Sequence, residues 1–487
     1  MRRIVLLALV GALLAGCGAD SEDAGLGLPG DWLGGAPWHG GERYVRVGEN
    51  PFVSTSQDPY ATFGVDVDTA AYSLMRRDVQ AGHLPHPDGV RVEEYLNYFS
   101  YGYEPPAQDP FAIHLEAAPS PFGEGLHLLR VGLQARTVAE RGRANLVFLV
   151  DVSGSMGEPD KLPLVQRTLR LLLDELRPDD RVGIVVYAGS VGTLLPPTPA
   201  SERQAIAAAI DRLSAGGSTN GSGGIVAAYE MAQQIHEPGG INRVILATDG
   251  DFNVGLFGDP LIDLIAEKRK TGIYLTTLGF GRGNYDHGQM ERLADYGNGN
   301  YAYVDGEGEA LRVVRRDLLS TMVVVAEDAK VQVAFNPAVV KRHRLIGYEN
   351  RAIADDDFAE EDLDAGDVGA GHDVTALLEI ELHEGALESK GDLATVTLRY
   401  KEPGGGQATP LVQRLPAAEV RATFDDASGA TRFAAAVAEY AEILRGSQFS
   451  EGARFADVRA IVAPLVGDDP DRAEFLELID LAAQRRR

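Results

Sequence analysis

The chain has 487 residues, 45% of them hydrophobic and 24% charged, an ordinary composition for a folded soluble protein but too long for one core, so two or three domains are expected. A net charge of −27 leaves no basic surplus to displace counterions from phosphates and excludes nucleic acid as a class of partner; most of the acid is solvated surface, with scope for holding divalent cations. The single cysteine, Cys17, excludes an intramolecular disulfide.

Met1-Arg2-Arg3 is a short positive segment, and Ile4 to Gly16 is a small, apolar run too short for an ordinary membrane span. The run ends in Leu14-Ala15-Gly16-Cys17, which resembles the bacterial lipoprotein signal. That resemblance implies acylation of Cys17 as the new N-terminus, and so a lipid anchor on a membrane surface and an extracytoplasmic place in the cell envelope. Gly18 and Ala19 follow the cysteine and Asp20 comes only after them, which leans toward the outer membrane in a cell that has one. The competing reading is a plain signal peptide or anchor helix with an incidental cysteine. No later run is long or apolar enough to span. Gly18 to Tyr60 is rich in Gly, Pro and acid and carries both tryptophans, Trp32 and Trp38; it reads as a flexible tether.

From residue 61 to 142 the pattern predicts helices over Thr69 to Gln80 and Arg91 to Tyr98. Half-buried antiparallel strands follow at Phe111, Ile113, Leu115, Ala117 and at Leu129, Val131, Leu133, Ala135, apolar at period two. From 143 to 320 the texture changes. Leu146 to Val150, Val182 to Tyr187, Val244 to Ala247 and Ile273 to Leu278 are short, nearly continuous apolar runs, as strands covered on both faces require. Helical patterns lie between them; Leu162, Val165, Leu169, Leu172, Leu173 and Leu176 mark one helix face, closed by Pro178. Strand and helix alternating in this way predict a doubly wound, Rossmann-like α/β domain with a mainly parallel sheet. From 321 to 425 the period returns to two, at Val331, Val333, Phe335, at Val374 to Leu382 and at Ala394 to Tyr400, which predicts a region of β-sandwich type. Strands before Asn145 joining it would make the α/β domain an insertion. From 426 to 487 helical spacing resumes, with Phe433, Val437, Tyr440 and Leu444 on one face.

The run Leu146 to Val150 leads straight into Asp151-Val152-Ser153-Gly154-Ser155. In an open α/β sheet, ligands bind outside the carboxyl ends of the strands. On a locally extended loop, residues two apart point the same way, so three oxygens can converge. A glycine-rich loop, "GGSTNGSGG", carries Thr219, and another strand ends in Thr248-Asp249-Gly250. Asp151, Ser153, Ser155, Thr219 and Asp249 supply only hydroxyl and carboxylate oxygens, which suit Mg2+ or Mn2+. Gly154, Gly157, Gly216 and Gly217 allow tight loops. The competing reading, that Ser153 and Ser155 merely cap a helix, explains neither Thr219 nor Asp249.

This arrangement resembles the von Willebrand factor A (VWA) domain with its metal-ion-dependent adhesion site (MIDAS). The resemblance implies that Ser153, Ser155 and Thr219 bind the metal through hydroxyls, directly or through water. Asp151 and Asp249 then give charge mainly through waters, with one position open for an Asp or Glu carboxylate of a partner protein. "FGVDVDTAAYSLMRRDVQAGHLPHPDGVRVEEYLNYFSY", "GNYDHGQMERLADYGNGNYAYVD" and "GYENRAIADDDF" followed by "DAGDVGAGHDVTALLEIEL" are similar to a group of bacterial A-domain lipoproteins with an N-terminal extension and a C-terminal companion region, from about Glu49 onward.

Other chemistries fit less well. Neither Ser153 nor Ser155 sits in Gly-x-Ser-x-Gly, and no histidine follows in triad order, so a serine hydrolase is a minor alternative. His287 reads as a solvated loop histidine. "LGFGRGN" has Gly-x-Gly-x-Gly spacing after the wrong strand for a dinucleotide loop. The acidic run Ala354 to Asp367 misses the EF-hand glycine and reads as a solvated loop. The expected protein is a non-enzymatic, membrane-anchored binding protein that grips a partner carboxylate through Mg2+; the alternative is a scaffold that binds through its β or helical regions, the metal only stabilising loops.

Overall fold

Period-two alternation inside continuously apolar strands sets the layers of this fold. The computed structural model describes residues 41–138, 140–217, 222–250, 259–283, 285–318, 323–361, 365–388 and 390–485. In chain order come β1 (Val53–Ser54), β2 (Tyr60–Gly64), α1 (Ala70–Gln80), α2 (Val92–Tyr98), β3 (Phe111–Pro119) and β4 (Leu126–Ala135). The α/β unit follows: β5 (Ala144–Asp151), α3 (Leu162–Glu175), β6 (Arg181–Tyr187), β7 (Val191–Pro199), α4 (Arg203–Asp211), α5 (Ser222–Gln234), β8 (Ile241–Thr248), α6 (Asp259–Arg269), β9 (Tyr274–Phe280), α7 (His287–Tyr296), β10 (Tyr301–Val304) and α8 (Glu307–Arg312). The chain then forms β11 (Val324–Phe335), β12 (Val340–Ile346), β13 (Gly366–Gly369), β14 (Asp373–Leu382), β15 (Asp392–Lys401), β16 (Thr409–Pro416) and the helices α9 (Gly429–Arg445), α10 (Phe455–Val462) and α11 (Pro470–Ala483).

The central sheet has the order β10-β9-β8-β5-β6-β7, parallel except for the β6–β7 pair. Along β5, Ala144, Leu146, Phe148 and Val150 enter one core with α3 and α4. Val147 and Leu149 enter the other, with α5 and α6. The strand is buried along its whole length because alternate residues serve opposite layers. This is the expected doubly wound α/β architecture. The strands β7 and β10 are additions to the four expected; both lie at sheet edges, where short or half-exposed segments carry a weaker apolar signal.

A second layered body surrounds the two ends of this unit. One antiparallel sheet has the order β1-β12-β14-β4-β3; the other has β13-β11-β15-β16, with β2 also paired to β11. Val374, Ala376, Leu378 and Ile380 of β14 face the second sheet, whereas Leu377 joins a core built by α1, α2 and α9 to α11. β14 pairs with β4 from Asp373–Gln134 to Glu381–Leu126, so strands on either side of the α/β unit share one sheet and the unit is an insertion. The N-terminal helices and the C-terminal helices form one hydrophobic core, although they lie at opposite ends of the sequence.

Residues 41–60, expected as part of the flexible tether, are folded against the body. Glu42 forms a buried ion pair with Arg77 at 2.9 Å, Tyr44 is buried beside Leu74 and Tyr285, and β1 pairs with β12. The anchoring partners lie far along the chain, so local Gly and Pro content gives no sign of them. Cys17, Trp32 and Trp38 lie outside the described residues. Among those described, no helix is long and apolar enough to cross a membrane.

Glu439 of α9 is buried, and its Oε1 has no hydrogen-bond partner among the described residues. Burial first, then the charges of Glu442 and Glu379, push its carboxyl up to about 8. The folded state is therefore the better proton binder, and stability at this position falls as pH rises from the ordinary glutamate value to about 8. Glu439→Gln is expected to stabilise the protein by on the order of 2 kcal/mol at pH 8 and by nothing below pH ~4. Urea unfolding across that range checks it.

Candidate metal centre

Asp151 ends β5 and Thr248 ends β8, two hydrogen-bonded parallel neighbours with Val150 beside Ala247. The chain leaves β5 toward β6 and β7 and returns on the opposite side of β5 at β8. That reversal opens a crevice at the carboxyl edge of the sheet. Asp151, Thr248 and Asp249 therefore meet where the topology leaves room for a ligand.

Asp151 is buried and its carboxylate is gripped from three sides. Oδ1 accepts from the Ser153 backbone N–H at 2.8 Å. Oδ2 accepts from the Tyr187 hydroxyl at 3.2 Å and the Thr248 hydroxyl at 3.1 Å. Burial pushes the Asp151 carboxyl above its usual range; the Ser153 and Thr248 donors oppose this and the charge of Asp249 adds to it. The Ser153 and Ser155 hydroxyls lie 3.0 Å apart. Ser153 is buried and Ser155 exposed, so the hydroxyl pair leads from the interior to solvent. A short 3-10 turn, Gly154–Gly157, begins after Ser153, yet the Ser153 side chain makes no capping bond. Its hydroxyl is directed at Ser155 instead, which removes the helix-cap reading for Ser153.

Thr219 lies outside the described residues, but the chain leading to it is held at this loop. Gly216 N–H donates to Val152 O at 2.8 Å, and Gly154 N–H donates to Gly217 O at 3.1 Å. Gly217 has φ +89°, and a Cβ on Gly154 would stand 3.3 Å from Gly217 O. Gly157 and Gly216 meet no such constraint: neither has positive φ, and an added Cβ would find ordinary contact or open space. Met156, adjacent to the serines, turns inward and is fully buried in the core with α3.

Asp249 is buried and forms an ion pair with Lys161, Nζ to Oδ2 2.8 Å. Lys161, Tyr187 and Thr248 are parts of the centre that motif spacing does not pick out. Lys161 stands at the start of an amphipathic helix, Tyr187 reads as one more apolar strand residue, and Thr248 lacks the Asp-x-Ser-x-Ser pattern. Their common signal is position alone, each at or just beyond a strand end or helix start on this edge. The described donors suit a hard divalent cation: oxygens only, two hydroxyls in contact and two buried carboxylates. Among the described residues no group of three His, Cys, Asp or Glu side chains is poised for a metal. Neither serine hydroxyl is bonded to a histidine among the described residues.

Three family models match the chain: "von Willebrand factor" over residues 39–130, "von Willebrand factor type A domain" over 145–316, and "Uncharacterized protein YfbK, C-terminal" over 320–484. The chain is similar to YfbK of Escherichia coli K12, with 40% identity over 472 residues, 91% of this chain and 81% of that protein. The chain belongs to the YfbK family. More distant likeness reaches the inter-alpha-trypsin inhibitor heavy chain H3 of Mesocricetus auratus, 27% identical over 51% of this chain and 30% of that one. Among solved structures, a von Willebrand factor type A protein from Catenulispora acidiphila covers 76% of this chain and 89% of its own, with 16% identity and a TM-score of 0.45.

The three other stretches singled out in the sequence, around Asp66, Glu291 and Arg351, meet at a second place. Arg351 reaches Asp295 at 2.8 Å, Asp68 at 3.4 Å, Asp66 at 3.5 Å and Glu291 at 3.9 Å. A cavity of about 340 Å³ opens there, lined by Asp66, Asp68, Asp295, Arg351 and Asp367 among others. His287, expected as a solvated loop residue, is wholly buried beside this cluster: it starts α7 and bonds the Tyr301 hydroxyl at 3.0 Å. Burial, reinforced by the Arg91 charge, pulls its pKa down to about 3. The acidic run Ala354 to Asp367, also expected as solvated, is partly tied down. Asp355 accepts from the Thr62 hydroxyl and Glu361 pairs with Arg399 at 2.7 Å. Residues 362–364 lie outside the described residues.

Tyr187→Phe removes one of the buried donors to Asp151 without changing shape. A loss of about 1 kcal/mol in folding stability is expected, read from the urea midpoint at constant slope; Thr248→Val removes the other donor, and because both share one carboxylate the double variant is expected to deviate from additivity.

Proposed function

We propose that this YfbK-family protein is a membrane-anchored, extracytoplasmic binding protein whose VWA domain takes a partner protein's Asp or Glu side chain through a divalent metal. The observation that supports it is the convergence of the Ser153 and Ser155 hydroxyls with buried Asp151 and Asp249 at the switch point of the sheet. Ser153, Ser155 and Thr219 would hold Mg2+ or Mn2+ through their hydroxyls, with Asp151 and Asp249 lending negative charge, mainly through waters. The metal supplies a Lewis-acidic position for the incoming carboxylate. The protein's own part is positional. Tyr187, Thr248 and the Ser153 N–H fix the Asp151 carboxylate, and uncharged serine and threonine donors leave much of the metal's charge uncancelled. A carboxylate is then the preferred entrant.

The lipid anchor at Cys17 belongs to the same proposal, supported by the charged start, apolar run and Leu14-Ala15-Gly16-Cys17. Two measurements test the two halves. Partner capture from cell-envelope extract is expected to need Mg2+, to fail in EDTA and to fail for Asp151→Ala; capture indifferent to all of these defeats the metal reading. Cys17→Ala is expected to move the protein from the membrane fraction to the soluble one.

A further inference from the structure

Lys161 adds a positive charge to a site that the reading above gives to a metal. Its ammonium sits 2.8 Å from Asp249 Oδ2, with both side chains buried. The residue has little freedom to leave. Its backbone N–H donates to Glu158 O at 3.0 Å, and its carbonyl accepts from Leu164 and Val165 N–H groups at 2.9 Å each as α3 begins. Its aliphatic stem lies directly over Gly281. A Cβ there would come within 2.2 Å of Lys161 Cγ and 2.5 Å of Cε, and Gly281 itself has φ +73°. Glycine at 281 is thus required twice, by its left-handed backbone and by the lysine stem. The Gly281 carbonyl in turn accepts from the buried Tyr303 hydroxyl at 2.5 Å, so the floor beneath the lysine is also held.

We propose that Lys161 stays on Asp249 when the metal is bound and acts as a fixed counter-charge that tunes the site toward an anionic entrant. The inference rests on the metal reading. With two carboxylates and a divalent ion alone the centre is neutral; with Lys161 in place one positive charge is left over. A retained ammonium repels the metal and attracts a carboxylate, so it weakens the first affinity and strengthens the second. Lys161 is here a positioning and specificity residue that acts through Asp249, not a metal ligand.

The test uses the purified full chain, Mn2+ as the metal probe and acetate as the carboxylate probe. Calorimetry gives the Mn2+ affinity; water-proton relaxation of the Mn2+ complex during acetate titration gives the carboxylate affinity. Lys161→Met is expected to bind Mn2+ about tenfold tighter or more, and its loaded form is expected to bind acetate about tenfold more weakly. Lys161→Gln, which keeps a polar head beside Asp249 and guards against misfolding of the methionine variant, is expected to follow it; Lys161→Arg is expected to track the wild type. Equal Mn2+ affinity in wild type and both neutral variants overturns the role of Lys161 and leaves the metal reading standing. Tighter Mn2+ binding with unchanged acetate affinity shows that the metal displaces the ammonium and overturns the retained counter-charge. If neither wild type nor variants take up Mn2+, the metal reading falls and this inference falls with it.

Discussion

The ladder between β4 and β14 is the constraint on which the architecture depends. It joins residues 126–134 to 373–381 in register, so the two arms of the chain must return to the same place after the whole α/β unit has been made. Both faces of the β14 strand are occupied, one by the second sheet and the other by helices from the two ends of the chain. With its neighbours saturated in this way, the sheet holds the ends of the insertion in fixed relation, and the N-terminal and C-terminal helices become parts of one core rather than appendages. Long-range pairing of this kind forms slowly and costs loop entropy before it returns any stability, so the burial of Leu377, Phe433 and Phe475 on the helical side is what makes the closure worthwhile.

The candidate metal centre is a local consequence of a different constraint. β5 is the innermost starting strand of the α/β sheet, and the chain can extend from it in both directions only by reversing the strand order beside it. The crevice at that reversal is where a charged strand end has access to solvent. Asp151 is buried, its carboxyl pushed up, because the strand delivers it there; three donors then make the burial tolerable. Lys161 and Asp249 complete the candidate centre with a buried ion pair.

Much of this was legible in the residues. Alternation at Leu129 to Ala135 and Val374 to Leu382 marked strands but understated their burial, since the polar alternates Arg130, Gln134, Thr375 and Glu379 are buried as well; the continuous runs at Leu146 to Val150 and Val244 to Ala247 marked strands covered twice, where hydropathy reports burial directly. Asp151, Ser153 and Ser155 were legible because their spacing is local, and the structure places them together. Thr219 lies outside the described residues; Gly216 and Gly217, which precede it, bond to the same loop. What was not legible depended on partners distant in sequence. Glu42 finds Arg77 and Tyr303 finds Gly281 only after folding; His287 is buried beside Tyr44 and beside Glu94 of α2, neighbours that its own surroundings do not announce. Lys161 carries no motif, and its meaning comes from an aspartate on another strand.

The contacts of Glu42 and Arg43 have a mechanical consequence. Arg43 is hydrogen-bonded through its backbone to Tyr285 and His287, and Glu42 accepts from the Gly283 N–H. That loop begins at Gly281, the floor of Lys161. Glu42, Arg43 and the candidate metal centre therefore share one edge of one sheet. A pull on Glu42 and Arg43 would reach Gly283, Tyr285 and His287 through these hydrogen bonds, and α1 through the Glu42–Arg77 pair. Because α1 is part of the helical core, that core shares the load instead of standing apart from it.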